Sequence, residues 1–146
     1  VTLNTLNTLY RALHAHRIAL EGTLLKPNMV LSGKDCPVQA GVAEVAAATV
    51  RTLRATVPAA VPGIVFLSGG QTAVRATEHL NAMNQMGPHP WELSFSYGRA
   101  LQEYSLKAWR GDPRNVPRAQ EIFAERSRLN SLARFGEYSR EMETAR

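Results

Sequence analysis

The chain of 146 residues is 45% hydrophobic, which predicts one globular unit with a core and excludes a chain that is disordered throughout. Its 17 Lys and Arg residues against 12 Asp and Glu residues give a net charge of +5, which favours anionic partners; because the basic residues form no dense cluster, a nucleic-acid interface is not expected. The single cysteine, Cys36, excludes an internal disulfide framework, and no apolar run approaches the roughly 18 to 20 residues that span a bilayer, so we expect a cytoplasmic protein without a membrane segment.

Helices alternate with short apolar segments along the chain. Apolar residues spaced three and four apart predict helices at about 2–16, 42–56, 72–86, 101–108 and 116–135, with Thr72 as an N-cap. Three apolar segments predict strands: "IALEGTLL" at 18–25, "GIVFLSGG" from 63 and "WELSFSYG" from 91. Gly136 ends the last helix and divides the chain into a body, residues 1–136, and a flexible tail, residues 137–146.

The alternation of strands and helices predicts an α/β fold with a parallel sheet and right-handed crossovers. Folds of this kind place their sites at the C-terminal ends of the strands. Each of the three predicted strands ends in residues that can carry chemistry. We therefore expect one site at that edge of the sheet.

The first predicted strand ends in a lysine. Lys26 follows Leu24 and Leu25, and Pro27 fixes the turn behind it. An ammonium held against apolar walls loses solvation, which lowers its pKa and frees the amine to form a Schiff base with a carbonyl. The alternative is a lysine that extends from the strand end into water.

The other two strands end in residues that suit a phosphate. Ser68, Gly69 and Gly70 precede a helix, so their N–H groups can converge on an anion, although a Gly-Gly pair is also an ordinary turn. After the third strand, Arg99 offers a planar fork and Gly98 opens the backbone; the alternative for Arg99 is a charge at the rim of the fold. Two such loops in succession predict a phosphate site.

The motifs "LEGTLLKPNMV", "FLSGGQ" and "SFSYGRALQ" closely resemble the C-terminal portion of class I fructose-bisphosphate aldolases, and the resemblance extends from the first helix to "NSLARFGEY". It implies a TIM (β/α)8 barrel, of which this chain holds strands 6 to 8 with their helices plus a terminal helix. It implies that Lys26 forms the Schiff base with a ketose. It also implies that a substrate phosphate is bound by Ser68, Gly69, Gly70, Gly98 and Arg99, with Ser96 and Tyr97 beside them.

The reaction that the resemblance implies is that of a lyase in glycolysis and gluconeogenesis. Fructose 1,6-bisphosphate is reversibly cleaved to dihydroxyacetone phosphate and glyceraldehyde 3-phosphate, with no metal and no cofactor. The protonated imine on Lys26 would stabilise the carbanion that bond cleavage leaves. The implied partners are the phosphorylated ketose and trioses, and the family is typically homotetrameric.

The chain departs from the family in two respects. We count three strands where a closed barrel has eight, so the acidic residues and further lysines of the earlier strands are missing. The residues "EMETAR" also follow soon after the last helix, where animal members of the family carry a longer tail that ends in a tyrosine. We therefore expect a fragment that is inactive alone.

Two alternatives remain open for the fragment. One is a non-catalytic remnant that binds sugar phosphates or serves in an interaction, and the other is a different barrel enzyme that shares only the phosphate loops. Neither Glu21 nor Glu92 is assigned as the general base. Surface or packing roles are expected for the four histidines, His14, His16, His79 and His89.

Overall fold

The computed structural model describes residues 1–143 of the chain. Within these residues, helices and strands follow one another in the predicted order: α1 (Thr2–Ala15), β1 (Leu24–Leu25), α2 (Val42–Thr56), β2 (Gly63–Phe66), α3 (Ala73–Gln85), β3 (Glu92–Phe95), α4 (Arg99–Trp109) and α5 (Val116–Arg134). Short 3-10 helices lie at Leu20–Gly22, Pro113–Asn115 and Arg140–Met142.

The three strands form one parallel sheet in the order β1-β2-β3, which confirms the predicted topology. Leu24 of β1 is in register with Gly63 of β2, and Ile64 of β2 with Leu93 of β3. The middle strand is apolar: Ile64 and Phe66, which share one face, are both 0% exposed, and Val65 on the other face is half-buried.

Two backbone hydrogen bonds extend the pairing past the ends of the strands. The amide of Leu67 donates to the carbonyl of Pro27 at 3.0 Å, and the amide of Ser96 donates to the carbonyl of Phe66 at 2.8 Å. These bonds tie the C-terminal ends of all three strands side by side. The loops that follow the strands therefore open along one edge of the sheet.

The helices bury apolar faces in a core that they share with the sheet. α3 packs against both α2 and α5, and α4 packs against α5. Thr72 is the N-cap of α3, as predicted, because its hydroxyl accepts a hydrogen bond from the amide of Arg75 at 3.2 Å. α3 is therefore held from both sides, and its N-terminus lies directly behind the loop after β2.

The first strand is much shorter than the predicted segment 18–25. The chain forms a 3-10 helix at Leu20–Gly22, and the Thr23 hydroxyl closes this turn by donating to the carbonyl of Leu20 at 2.7 Å. Leu20 is 5% exposed, so the segment is apolar because it packs into the core and not because it pairs as a strand. The extended backbone begins at Leu24, whose side chain is 64% exposed at the edge of the sheet.

Residues 137–143, the described part of the predicted flexible tail, contact the helices. Tyr138 is 5% exposed, and its amide donates to Oδ1 of Asn81 in α3 at 3.0 Å. Its hydroxyl donates to the carboxylate of Glu143, which also pairs with Arg126 of α5. A large ring with a satisfied hydroxyl fixes this segment on α3 and α5. Residues 144–146 of the predicted tail lie outside the described residues.

Candidate functional site at the C-terminal edge of the sheet

The three predicted loops lie at one edge of the sheet. The bond from Leu67 to Pro27 brings the backbone beside Lys26 against the residue that precedes Ser68. The bond from Ser96 to Phe66 does the same for the loops after β2 and β3. The sequence prediction of one shared edge is therefore consistent with the backbone geometry.

Lys26 is exposed, whereas Pro27 behind it is buried. Lys26 lies on a depression of about 720 Å³ that is lined mostly by apolar side chains of α1 and of the loop after β1, among them Leu6, Leu9 and Leu31. The apolar wall predicted beside the lysine is present on this side. Lys26 itself is exposed, so the described residues do not enclose its ammonium as predicted.

The loop after β2 forms a tight turn. The amide of Gln71 donates to the carbonyl of Ser68 at 3.0 Å, and Gly69 and Gly70 between them have φ of +59° and +81°. Positive φ at both central positions is the geometry of a type I′ turn, which glycine adopts without strain. Gly69 and Gly70 are exposed, while Ser68 is buried at 6%.

The loops after β2 and β3 meet at Arg99. A Cβ atom added to Gly70 would lie 3.8 Å from Nη2 of Arg99, so the guanidinium lies beside the glycine turn. Arg99 is exposed at the first turn of α4, and Gly98 before it is the N-cap. The glycine turn, the N-terminus of α4 and the Arg99 guanidinium therefore lie close together, and helix N-termini and cations are groups that can bind an anion.

Tyr97 does not present its hydroxyl to this arrangement. Its side chain is 5% exposed and donates to the carbonyl of Ala76 in α3 at 2.9 Å, and burial raises the pKa of the phenol far above its ordinary value. The Tyr97 hydroxyl is therefore turned away from the glycine turn, and the place of Tyr97 beside the phosphate loops stays a prediction. Tyr97 instead connects the loop after β3 to α3. Ser96 beside it is half-buried.

Three residues that were not predicted to belong to the site, Gln71, Met29 and His79, connect the loops. Gln71 also donates from Nε2 to the carbonyl of Ser68 at 2.9 Å and lies 3.5 Å from the sulfur of Met29. Its side-chain oxygen contacts Nδ1 of His79, which is buried in α3. The glutamine at the end of "FLSGGQ" was a visible signal, but His79 eight residues later was not.

The arrangement is typical of α/β enzymes that act on anionic substrates at the C-terminal edge of a parallel sheet. A family model described as fructose-bisphosphate aldolase class I matches residues 1–146. The chain therefore belongs to the class I fructose-bisphosphate aldolase family.

Curated relatives and a solved structure agree with this family. The chain is 54% identical to fructose-bisphosphate aldolase 1 of Toxoplasma gondii, over 94% of this chain and 38% of the relative. It is 56% identical to fructose-bisphosphate aldolase B of Gallus gallus over the same shares of the two chains. A structure of fructose-bisphosphate aldolase from Plasmodium falciparum, in complex with TRAP and a small-molecule inhibitor, superposes with a TM-score of 0.93 at 49% identity, covering 94% of this chain and 40% of that one.

The chain spans about two-fifths of the length of the curated relatives that it matches. Among residues 1–143, no helix is long and apolar enough to cross a membrane. The same residues contain no group of three or more His, Cys, Asp or Glu side chains placed to hold a metal ion.

Proposed function

We propose that the protein to which this chain belongs is a Schiff-base aldolase that reversibly cleaves fructose 1,6-bisphosphate to dihydroxyacetone phosphate and glyceraldehyde 3-phosphate. The observation that carries the proposal is the common edge: the backbone bonds from Leu67 to Pro27 and from Ser96 to Phe66 align a lysine loop with two anion-binding loops. Family membership over the whole chain supports the same reaction.

In this proposal Lys26 is the covalent catalyst. Its neutral amine attacks the ketose carbonyl to give a carbinolamine, a general acid donates a proton to the carbinolamine hydroxyl, and loss of water leaves the protonated imine. When the carbon–carbon bond breaks, its electron pair moves toward the iminium nitrogen, while a general base removes the proton of the hydroxyl on the departing half. Glu21 and Glu92 are both exposed and do not suit that role, so the base comes from another part of the protein.

The phosphate of the ketose is held by the two other loops. Backbone amides of Gly69, Gly70 and Gly98, with Ser68 and the Arg99 guanidinium, supply donors and positive charge for one dianion. Ser96 lies beside the site, and its amide holds the loop after β3 against the end of β2 by donating to the carbonyl of Phe66. Holding the phosphate positions the ketose carbonyl for the amine, which is the orientation effect that this reaction needs.

The three strands correspond in this proposal to strands 6 to 8 of a (β/α)8 barrel. Parallel strands, connecting helices and the exposed edge at Leu24 support that correspondence, because a strand at this edge would cover Leu24 and continue the sheet. We also place the whole protein in the cytoplasm as a homotetramer; sedimentation of the whole protein tests the subunit number.

For this chain alone, the exposure of Lys26 favours a second function, the binding of sugar phosphates without turnover. An exposed lysine lacks the apolar enclosure that activates an amine for Schiff-base formation. A cleavage assay separates the two functions: the whole protein should turn over fructose 1,6-bisphosphate, and residues 1–146 alone should not.

Replacing Arg99 with Ala in the whole protein tests the phosphate site. Loss of a charge-assisted contact should raise the KM for fructose 1,6-bisphosphate by about 10- to 100-fold. Lys107→Ala is the matched control, since Lys107 is an exposed cation on the same helix that pairs with Glu103. Equal KM values for the two variants would remove Arg99 from the phosphate site.

A further inference from the structure

Gln71 lies at the junction of the lysine loop and the phosphate turn. Its backbone amide and its side-chain Nε2 both donate to the carbonyl of Ser68, at 3.0 and 2.9 Å. The same Nε2 lies 3.5 Å from the sulfur of Met29, which is 0% exposed and follows Lys26 by three residues. The orientation of one side-chain amide therefore affects both loops.

The acceptor at Ser68 determines which way this amide faces. A carbonyl can only accept, so the NH₂ group of Gln71 must face Ser68 and the oxygen must face His79. Nδ1 of His79 must then carry a proton to donate to that oxygen. Among the described residues Nε2 of His79 is buried without a partner, which suits the unprotonated nitrogen of a neutral ring.

The surroundings of His79 favour this neutral tautomer. The residue is 4% exposed, and burial, with Arg75 nearby, lowers its pKa to about 4, against a smaller opposing effect of Glu78. The hydrogen-bond chain consequently runs in one direction, from His79 through Gln71 to the Ser68 carbonyl, under ordinary conditions. A protonated ring would still donate from Nδ1 but would carry an unsolvated charge.

We infer that His79 is a positioning residue for the phosphate turn, acting through Gln71 on Ser68, Gly69 and Gly70. The inference rests on the proposed function, since it assumes that this turn binds the substrate phosphate. The hydrogen bonds to Ser68 hold the turn in the left-handed conformation that presents the glycine amides, and His79 prevents the Gln71 amide from rotating away.

The inference is tested on the whole protein by borohydride trapping of two ketones, dihydroxyacetone phosphate and unphosphorylated dihydroxyacetone. His79→Leu removes the donor, whereas His79→Asn retains an N–H group at the position of Nδ1. We expect His79→Leu to raise the half-saturating concentration of dihydroxyacetone phosphate by about five- to tenfold, the effect of one lost neutral hydrogen bond. Trapping of dihydroxyacetone should stay at the wild-type level, and His79→Asn should restore the affinity for the phosphorylated ketone.

His89→Leu is the control for the loss of a histidine hydrogen bond away from the turn, because His89 contacts the carbonyl of Met83 at 2.7 Å. It should leave both half-saturating concentrations unchanged. Gln71→Leu should reproduce the defect of His79→Leu, and the double variant should be no worse than either, since both residues act through one contact. Gln71→Leu also replaces His79→Leu in the comparison if the latter does not fold.

Wild-type affinity for dihydroxyacetone phosphate in His79→Leu or Gln71→Leu would overturn the inference, as would an equal loss for both ketones or a failure of His79→Asn to restore binding. Arg99→Ala in the same assay tests the proposed function separately. If Arg99→Ala weakens the binding of dihydroxyacetone phosphate while His79→Leu does not, the phosphate site stands and the positioning role fails. If neither variant has an effect, the phosphate site itself fails.

Discussion

Replacement of Arg126 with Met should release the C-terminal segment, residues 137–143, from the helices. The Arg126 side chain is 1% exposed and binds both carboxylate oxygens of Glu143 at 2.6 Å. It also donates to the hydroxyl of Thr77 at 2.7 Å and to the carbonyl of Ala73 at 3.2 Å. Removing one partner of a buried ion pair costs about 3 to 5 kcal/mol, and the 20% exposure of the Glu143 side chain places the cost near the lower value.

Hydrogen exchange of the segment measures this cost directly. A loss of about 3 kcal/mol in local opening free energy corresponds to about 150-fold faster exchange, and the amide of Tyr138 is a suitable reporter because it donates to Asn81. Arg128→Met is the matched control, since Arg128 lies on the same helix, is exposed and pairs with Glu125 on the surface. Unchanged exchange at residues 137–143 in a folded Arg126→Met protein, or equal acceleration in both variants, would refute the reasoning.

Two further predictions concern buried groups near the site. Tyr97→Phe should lower the free energy of unfolding by about 1 kcal/mol, because it removes one buried hydrogen bond to Ala76. In the trapping assay it should leave the half-saturating concentration of dihydroxyacetone phosphate unchanged. A weakened affinity in a protein of normal stability would instead show that the hydroxyl contacts the phosphate. His79 has a folded pKa of about 4, below its ordinary value near 6.5, so the unfolded chain takes up the proton first as pH falls. The contribution of the neutral His79 ring to the free energy of unfolding is fully present above about pH 6.5. It is lost as the pH falls toward 4 and amounts to on the order of 3 kcal/mol in total. Unfolding of the wild type and of His79→Asn, measured from pH 7 to pH 4, should therefore show a larger loss for the wild type, and parallel curves would contradict the assignment.

The order of elements and the parallel sheet could be predicted because they rest on local signals. Apolar spacing identifies helices, and a glycine pair behind an apolar run identifies the loop after β2. The first strand was predicted to be too long because apolar character alone does not distinguish a core-packed turn at Leu20 from a paired strand. Only tertiary packing decides between them.

The position of the candidate loops could be predicted from the sequence, but the directions of several side chains near them could not. Ser68, Gly69, Gly70, Gly98 and Arg99 follow from motifs that are contiguous in sequence. The direction of Tyr97, into α3 and away from the loops, depends on a contact with Ala76 that spacing does not reveal. The burial of Arg126 likewise depends on Glu143, 17 residues away, and the sequence shows both only as charges on a polar helix and a terminal segment.

The central claim is that Lys26 forms a Schiff base with a phosphorylated ketose. Borohydride trapping with dihydroxyacetone phosphate, followed by peptide mass mapping, distinguishes the three lysines of this chain, Lys26, Lys34 and Lys107. The account predicts an adduct on Lys26 in the whole protein, its loss in Lys26→Met, and no comparable adduct in residues 1–146 alone. An adduct that persists in Lys26→Met, or an active whole protein in which Lys26 is never labelled, would contradict it.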